Sequence, residues 1–110
     1  MGRHVIYISG PITGVPRYRE MFEAAAKELT AEGFIPLNPA VLPEGLTEQQ
    51  YMRIDIAMLD TSDAVLLLDG WERSRGSSLE CSYCFYTGKP FAASMKELKE
   101  VFADAGTKRP

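Results

Sequence analysis

Two carboxylate residues lie where they could take part in chemistry on a sugar. Glu80 is placed in the first turn of a predicted helix, and Asp55 interrupts the apolar surface of another. We expect donors at the helix end to keep Glu80 ionised at pH 7, and an ionised carboxylate can attack an anomeric carbon. A glutamate at this position also interacts favourably with the helix dipole, and Asp55 could equally face solvent. Both alternatives remain open at this point.

The polar loop at residues 70–76 could bind an anion at the start of the helix that contains Glu80. Ser74, Gly76 and Ser77 supply hydroxyls and a flexible backbone there. A helix N-terminus presents free N–H groups and a positive dipole, which suit a phosphate. The alternative is that Ser77 or Ser78 only caps the helix.

Three further side chains lie near the ends of predicted strands. Asp69 follows the clearest central strand, where it could act on a ligand or cap the turn at Gly70. Trp71 could stack on a base or merely cover the site. Tyr7 lies in the first strand, and its alternative role is core packing with a satisfied hydroxyl.

A second glycine-bearing loop follows the first strand. Its residues are Gly10, Pro11, Ile12, Thr13 and Gly14. It lacks the Gly-Lys-Ser/Thr ending of a phosphate-cradling P-loop, and the chain has no G-x-G-x-x-G. ATP hydrolysis and dinucleotide redox chemistry therefore have little support, and no cofactor is expected.

Cys81 and Cys84 form a C-x-x-C inside a predicted helix. Zinc would need two more ligands, and the single histidine, His4, cannot complete the set, so no metal site is expected. Buried packing is the favoured role for both thiols. A redox role is the alternative, and it would require a depressed thiol pKa.

The elements that must position these residues alternate between strand and helix patterns. The predicted strands cover residues 5–8, 34–37, 63–69 and 89–93, and the predicted helices begin at Tyr18, Thr47, Ser77 and Ser94. This alternation is typical of an α/β domain with a single doubly wound, mainly parallel sheet of the flavodoxin-like or Rossmann-like kind. With strand order 2-1-3-4, the two polar loops meet at the switch point, where ligands bind.

Composition restricts the function further. The chain has 110 residues, of which 25% are charged, and its formal net charge is −3. We expect one domain over residues 1–110 with a frayed tail at 106–110. The acidic balance argues against binding duplex nucleic acid, and no apolar run is long enough for a membrane helix. No secretory signal precedes the first strand, which predicts a cytoplasmic protein.

Three stretches taken together resemble the nucleoside 2-deoxyribosyltransferase superfamily, and in particular its small branch that includes the deoxynucleoside 5′-monophosphate N-glycosidases. The stretches are residues 7–14 (YISGPITG), Asp55 in the helix before the central strand, and Ser74-x-Gly76-x-x-x-Glu80 followed by Tyr83 and residues 88–90. Each motif is short, but their order and spacing agree over residues 7–93.

The resemblance implies a role for each matching residue. Glu80 would attack C1′ of the sugar and form a glycosyl-enzyme, with Tyr7 orienting its carboxylate. Asp55 would contact the base or help to protonate it as it leaves. Gly10 and Gly76 would let the backbone approach the ligand.

The resemblance also implies the substrate class and assembly. A serine at position 74 leans toward a 5′-phosphate, and hence toward hydrolysis of a nucleotide rather than base transfer between nucleosides. Thr13 stands where the hydrolases carry an arginine, which favours the alternative of a nucleotide-binding domain without turnover. Members of the superfamily usually form dimers or larger assemblies, so a homo-oligomer is expected.

Overall fold

The computed structural model describes residues 3–108, which form four strands and four α-helices in strict alternation. The elements are β1 (Val5–Ser9), α1 (Tyr18–Ala31), β2 (Ile35–Leu37), α2 (Glu48–Thr61), β3 (Ala64–Leu67), α3 (Arg75–Thr87), β4 (Phe91–Ala92) and α4 (Met95–Lys108). Within residues 3–108, no helix is long and apolar enough to cross a membrane. Residues 106–108 of the expected tail belong to α4, and residues 109–110 lie outside the described residues.

The strands form one parallel sheet in the order β2-β1-β3-β4. This confirms the predicted doubly wound α/β fold, its strand order and the edge position of β4. β1 lies between β2 and β3, so Tyr7 is aligned with Leu37 on one side and Val65 on the other. Ser9 is aligned with Leu67 at the carboxyl ends of the two inner strands. The switch point of the sheet is therefore at Ser9.

Alternation along β1 divides the core into two layers. Ile6 and Ile8 join a cluster with residues of α1 and α4, including Phe22 and Leu98. Tyr7 joins the other cluster, whose remaining members lie on α2, β3 and α3. Successive side chains of a strand point to opposite faces, so Ser9 has the same parity as Tyr7. The face of β1 that carries Tyr7 and Ser9 is thus the face covered by α2 and α3.

Two predicted capping boxes fix the starts of α2 and α4. The Thr47 hydroxyl accepts the N–H of Gln50 at 3.1 Å, and the Gln50 side chain accepts the N–H of Thr47 at 2.9 Å. At α4, Ser94 accepts the N–H of Glu97 at 3.1 Å, but Glu97 accepts from Ala93 at 2.9 Å and not from Ser94. Such caps satisfy donors that have no intrahelical partner.

α3 begins earlier than the sequence predicted. Its N-cap is Ser74, whose hydroxyl accepts the N–H of Ser77 at 3.2 Å, so the expectation that Ser77 or Ser78 caps the helix is wrong. A short 3₁₀ turn at Trp71–Arg73 brings Ser74 into the extended conformation that a cap requires. Glu80 consequently lies in the second turn of α3 and not in the first.

Gly10 is required by packing at the end of β1. A Cβ atom at this position would lie 2.9 Å from the Leu68 Cβ and 3.3 Å from the Phe22 ring. The first of these distances is too short for two carbon atoms, and the Leu68 Cβ cannot move without the backbone. The atoms that exclude a side chain at position 10 therefore belong to the protein's own core.

Substitution of Gly10 by alanine should lower the free energy of unfolding by about 1–3 kcal/mol, the usual effect of overpacking a core. The matched control is Gly76→Ala in α3, where the nearest atoms would lie 4.0 Å from the new Cβ. That variant should be at least as stable as the wild type, because alanine is preferred over glycine in helices. Urea denaturation measures both. Equal stabilities for Gly10→Ala and the wild type would contradict the packing argument.

Candidate active site

The Glu80 carboxylate is buried between α3 and β1, with only 4% of the residue exposed. The Tyr7 hydroxyl donates to its Oε2 at 2.8 Å, and the Ser9 hydroxyl donates to its Oε1 at 2.7 Å. Both oxygens of the carboxylate are therefore held by donors from one strand. A buried carboxylate is tolerated only when such bonds replace those lost to water.

The fold explains why these residues meet. Tyr7 and Ser9 are two positions apart on β1, so their side chains emerge on the same face. That face is covered by α3, from which Glu80 points inward. The contacts join residues that are separated by 73 and 71 positions in the chain. The site therefore depends on the tertiary fold and not on any local motif.

A third hydroxyl extends this arrangement. The Ser77 hydroxyl oxygen lies 2.9 Å from that of Ser9, and both residues are almost fully buried. Ser77 precedes Glu80 by one helical turn, so the two side chains lie on the same side of α3. The sequence predicted that Ser77 would contact the substrate, whereas its observed partner is Ser9.

Burial is the main influence on the ionisation of the site. It raises the pKa of Glu80, and the hydrogen bonds from Ser9 and Tyr7 partly oppose that rise. The expectation that helix-end donors would hold the carboxylate is wrong, since its donors are side-chain hydroxyls. Burial, followed by the charge of Glu80, raises the pKa of Tyr7 well above its usual range. The phenol therefore remains a donor at neutral pH.

Asp55 of α2 is the second carboxyl group of the site. It is partly buried, which decides against the solvent face, and its Oδ1 is buried without a hydrogen-bond partner among the described residues. Burial, followed by the charge of Glu80, raises the pKa of Asp55 to about 7. The two carboxyls are thus close enough for their charges to interact. The arrangement favours a proton on Asp55 while Glu80 carries the charge.

The two polar loops meet beside this centre, as the topology predicted. A Cβ atom on Gly70, which has φ +87°, would lie 3.2 Å from the Pro11 side chain. Ser74 and Gly76 are partly buried at the start of α3. Trp71 is also partly buried and packs against the cluster that contains Tyr7.

The remaining predicted residues lie farther from the carboxylates in character. Ile12 packs against the opposite core cluster, on the side of α1. Thr13, Gly14 and Asp69 are exposed. Their positions allow contact with a bound ligand, but none of them contributes to holding Glu80.

Ser9 is the functional residue that the sequence analysis missed. Its signal was present, because it lies two positions after Tyr7 and at the end of a strand. A small polar side chain on a buried strand face needs a partner. That partner is Glu80, which only the packing of α3 on β1 identifies.

The cysteines do not have the properties of a redox pair. Both are free, and burial raises the pKa of Cys81 as well as that of Cys84, the latter to about 11. A reactive thiol needs the opposite shift. Among the described residues, no three His, Cys, Asp or Glu side chains are grouped so that they could hold a metal ion.

Ionisation of Asp55 should make stability depend on pH. The folded-state pKa of about 7 lies above the model value of 3.8, so between these values the folded state binds the extra proton. The free energy of unfolding should therefore fall as pH rises from about 4 to 7, relative to Asp55→Asn, and then level off. Urea denaturation across this range measures the difference. Asp69→Asn, at an exposed carboxylate, is the control, and an equal pH dependence in Asp55→Asn and the wild type would contradict the assignment.

The match with known sequences covers most of the chain. Residues 4–93 match a family described as "Domain of unknown function (DUF4406)". The matched segment runs from just before β1 to just after β4, and so includes Tyr7, Ser9, Asp55, Ser77 and Glu80. A comparison with curated proteins gives no match. The chain belongs to the DUF4406 family.

Proposed function

We propose that the protein cleaves the N-glycosidic bond of a nucleoside or deoxynucleoside 5′-monophosphate. The observation that carries the proposal is the Glu80 carboxylate, buried and held through both oxygens by Tyr7 and Ser9, with a partly protonated Asp55 nearby. One group is thus suited to attack carbon and another to deliver a proton. The resemblance to the nucleoside 2-deoxyribosyltransferase superfamily assigns Glu80, Asp55 and Tyr7 the same roles.

The first step forms a covalent intermediate. A carboxylate oxygen of Glu80 attacks C1′, and the bond between C1′ and the base nitrogen breaks. The electron pair of that bond leaves with the base, which takes the proton of Asp55. Tyr7 keeps its hydroxyl proton and holds the other oxygen of Glu80 in place. The products of this step are the free base and a glycosyl ester of Glu80.

The second step releases the sugar. Asp55, now a carboxylate, removes a proton from a water molecule, whose oxygen attacks C1′. The ester bond breaks, and Glu80 leaves as a carboxylate while Asp55 is protonated again. Both carboxyl groups are thereby restored. An acceptor base in place of water would give transfer instead of hydrolysis.

The start of α3 supports a phosphate-bearing substrate. Ser74 caps the helix by accepting the N–H of Ser77, which leaves its hydroxyl hydrogen free to donate to an anion. The first turn of a helix also presents N–H groups without intrahelical partners. Arg73 and Arg75 are exposed on either side of Ser74 and add positive charge.

Glu80→Gln should abolish base release, because the amide keeps the size of the side chain but lacks the charge that attacks C1′. The assay incubates the protein with deoxyribonucleoside and ribonucleoside 5′-monophosphates and, separately, with nucleosides. Mass spectrometry detects free base and sugar phosphate. Glu72→Gln, at an exposed carboxylate in the loop before α3, is the matched control and should retain activity.

The same assay separates the alternatives. Base release by the wild type but not by Glu80→Gln supports the proposal, and an added acceptor base distinguishes transfer from hydrolysis. Binding of a nucleotide without release of base, by the wild type and the variant alike, would reject turnover. It would instead identify a nucleotide-binding domain.

We further propose that the outer face of α3 forms a contact between copies of the chain. Phe85 and Tyr86 are 76% and 86% exposed. Beside them runs a surface groove of about 460 Å³ lined by Trp71, Ser78, Cys81, Ser82, Phe85, Tyr86 and Phe91, none of which is charged. A two-fold contact requires a self-complementary surface, and this face carries both protruding aromatic rings and a groove.

Tyr86→Ser combined with Phe85→Ser should convert the protein to a monomer, because the aromatic area buried in the contact is lost. Analytical ultracentrifugation should give the wild type a mass of at least twice 12.2 kDa. Val41→Ser, which changes a side chain that is 73% exposed on another surface, should leave the mass unchanged. A wild type that stays at 12.2 kDa at all concentrations would reject the contact.

A further inference from the structure

We propose that Ser77 and Ser9 form a hydroxyl relay that positions the Glu80 carboxylate, with Ser77 acting through Ser9 and not on the substrate. The inference deepens the proposed function, on which its catalytic consequence rests. It gives a role to Ser9, which the sequence analysis did not single out. It also gives Ser77 a role different from the predicted contact with a ligand.

The direction of the relay follows from counting hydrogens. The Ser9 hydroxyl has one hydrogen and two oxygen neighbours, Glu80 Oε1 at 2.7 Å and Ser77 Oγ at 2.9 Å. An ionised carboxylate can only accept, so Ser9 must donate to Glu80. The contact between the serines is then satisfied only if Ser77 donates to Ser9. The chain of donation runs from Ser77 through Ser9 to Glu80.

Burial makes this arrangement specific. Ser9 is 1% exposed and Ser77 is 2% exposed, so neither hydroxyl can exchange its partner for bulk water. The backbone N–H of Ser77 is already bonded to Ser74, which fixes the start of α3 relative to the relay. A buried hydroxyl between two fixed elements orients the group to which it donates.

The two donors to Glu80 differ in position. Tyr7 is aligned with residues in the middle of the sheet, while Ser9 is aligned with Leu67 at the carboxyl end. Ligands of doubly wound folds bind outside that end. Oε1, the oxygen bonded to Ser9, is therefore the oxygen on the side of the substrate. The relay controls the charge and direction of this oxygen, and Tyr7 anchors the other.

The relay predicts how the variants should rank. Loss of a donor to a carboxylate disfavours its charged form, so Ser9→Ala should raise the pKa of Glu80. Ser77→Ala should raise it less, because Ser9 still donates but is less firmly held. The double variant should match Ser9→Ala, since Ser77 has no separate route to Glu80. In kcat/KM at acidic pH, Ser9→Ala should lose about tenfold to hundredfold, the range for a hydrogen bond to a charged group.

The experiment measures the pKa of Glu80 directly by NMR of protein labelled with ¹³C at the glutamate carboxyls. Glu80→Gln identifies the resonance by its loss. Ser62→Ala is the matched control, because it also removes a buried hydroxyl, one that bonds the Leu59 carbonyl at 2.7 Å away from Glu80. It should leave the Glu80 titration unchanged. Should Ser9→Ala fail to fold, the Ser77→Ala titration alone decides the question.

An unchanged Glu80 pKa in the serine variants would overturn the relay. So would a Ser77→Ala variant that raises KM for the nucleotide in both the wild-type and Ser9→Ala backgrounds, because Ser77 would then contact the substrate. The titration needs no substrate, which separates the two proposals. Serine variants that shift the titration of a protein without turnover would retain the relay and reject the glycosidase, and the reverse result would reject the relay alone.

Discussion

The site depends on burying one carboxylate. Removing an ionised side chain from water is unfavourable unless hydrogen bonds replace those of the solvent. Glu80 meets this condition through Tyr7 and Ser9, both on a strand whose flanking residues are apolar. Much of the architecture can be seen as what brings those hydroxyls to that oxygen pair. β1 lies inside the sheet, α3 packs on one of its faces, and Ser74 fixes where α3 begins.

The second carboxyl shows the consequence of this burial for chemistry. Asp55 shares a partly dry environment with Glu80, and its pKa rises to about 7 for that reason. Two carboxyls in one site cannot both be charged cheaply, so one tends to hold the proton. Here the hydroxyl donors favour the charge on Glu80, because Asp55 Oδ1 has no donor among the described residues. Their different surroundings thus give two similar side chains different roles.

Sequence patterns were sufficient for the fold but only for part of the site. The unbroken apolar run of β3 and the helical spacing in α1 predict a parallel sheet with covering helices, and the strand order followed from the rules of connection. The start of α3 was misplaced, because four serines and a glycine in succession offer several possible caps. Only the 3₁₀ turn at Trp71–Arg73 selects Ser74. Ser9 was missed because its partner is 71 residues away.

The inner position of β1 has a consequence for how the protein is made. Its residues are among the first to leave the ribosome, yet Glu80 follows Tyr7 by 73 positions. The polar side chains of β1 must therefore wait until α2, β3 and α3 have been synthesised before they reach their partner. Contacts between such distant residues slow folding. A nascent chain that stops before α3 would expose Tyr7 and Ser9 on an unfinished sheet, so the active site is also one of the last parts of this protein to become complete.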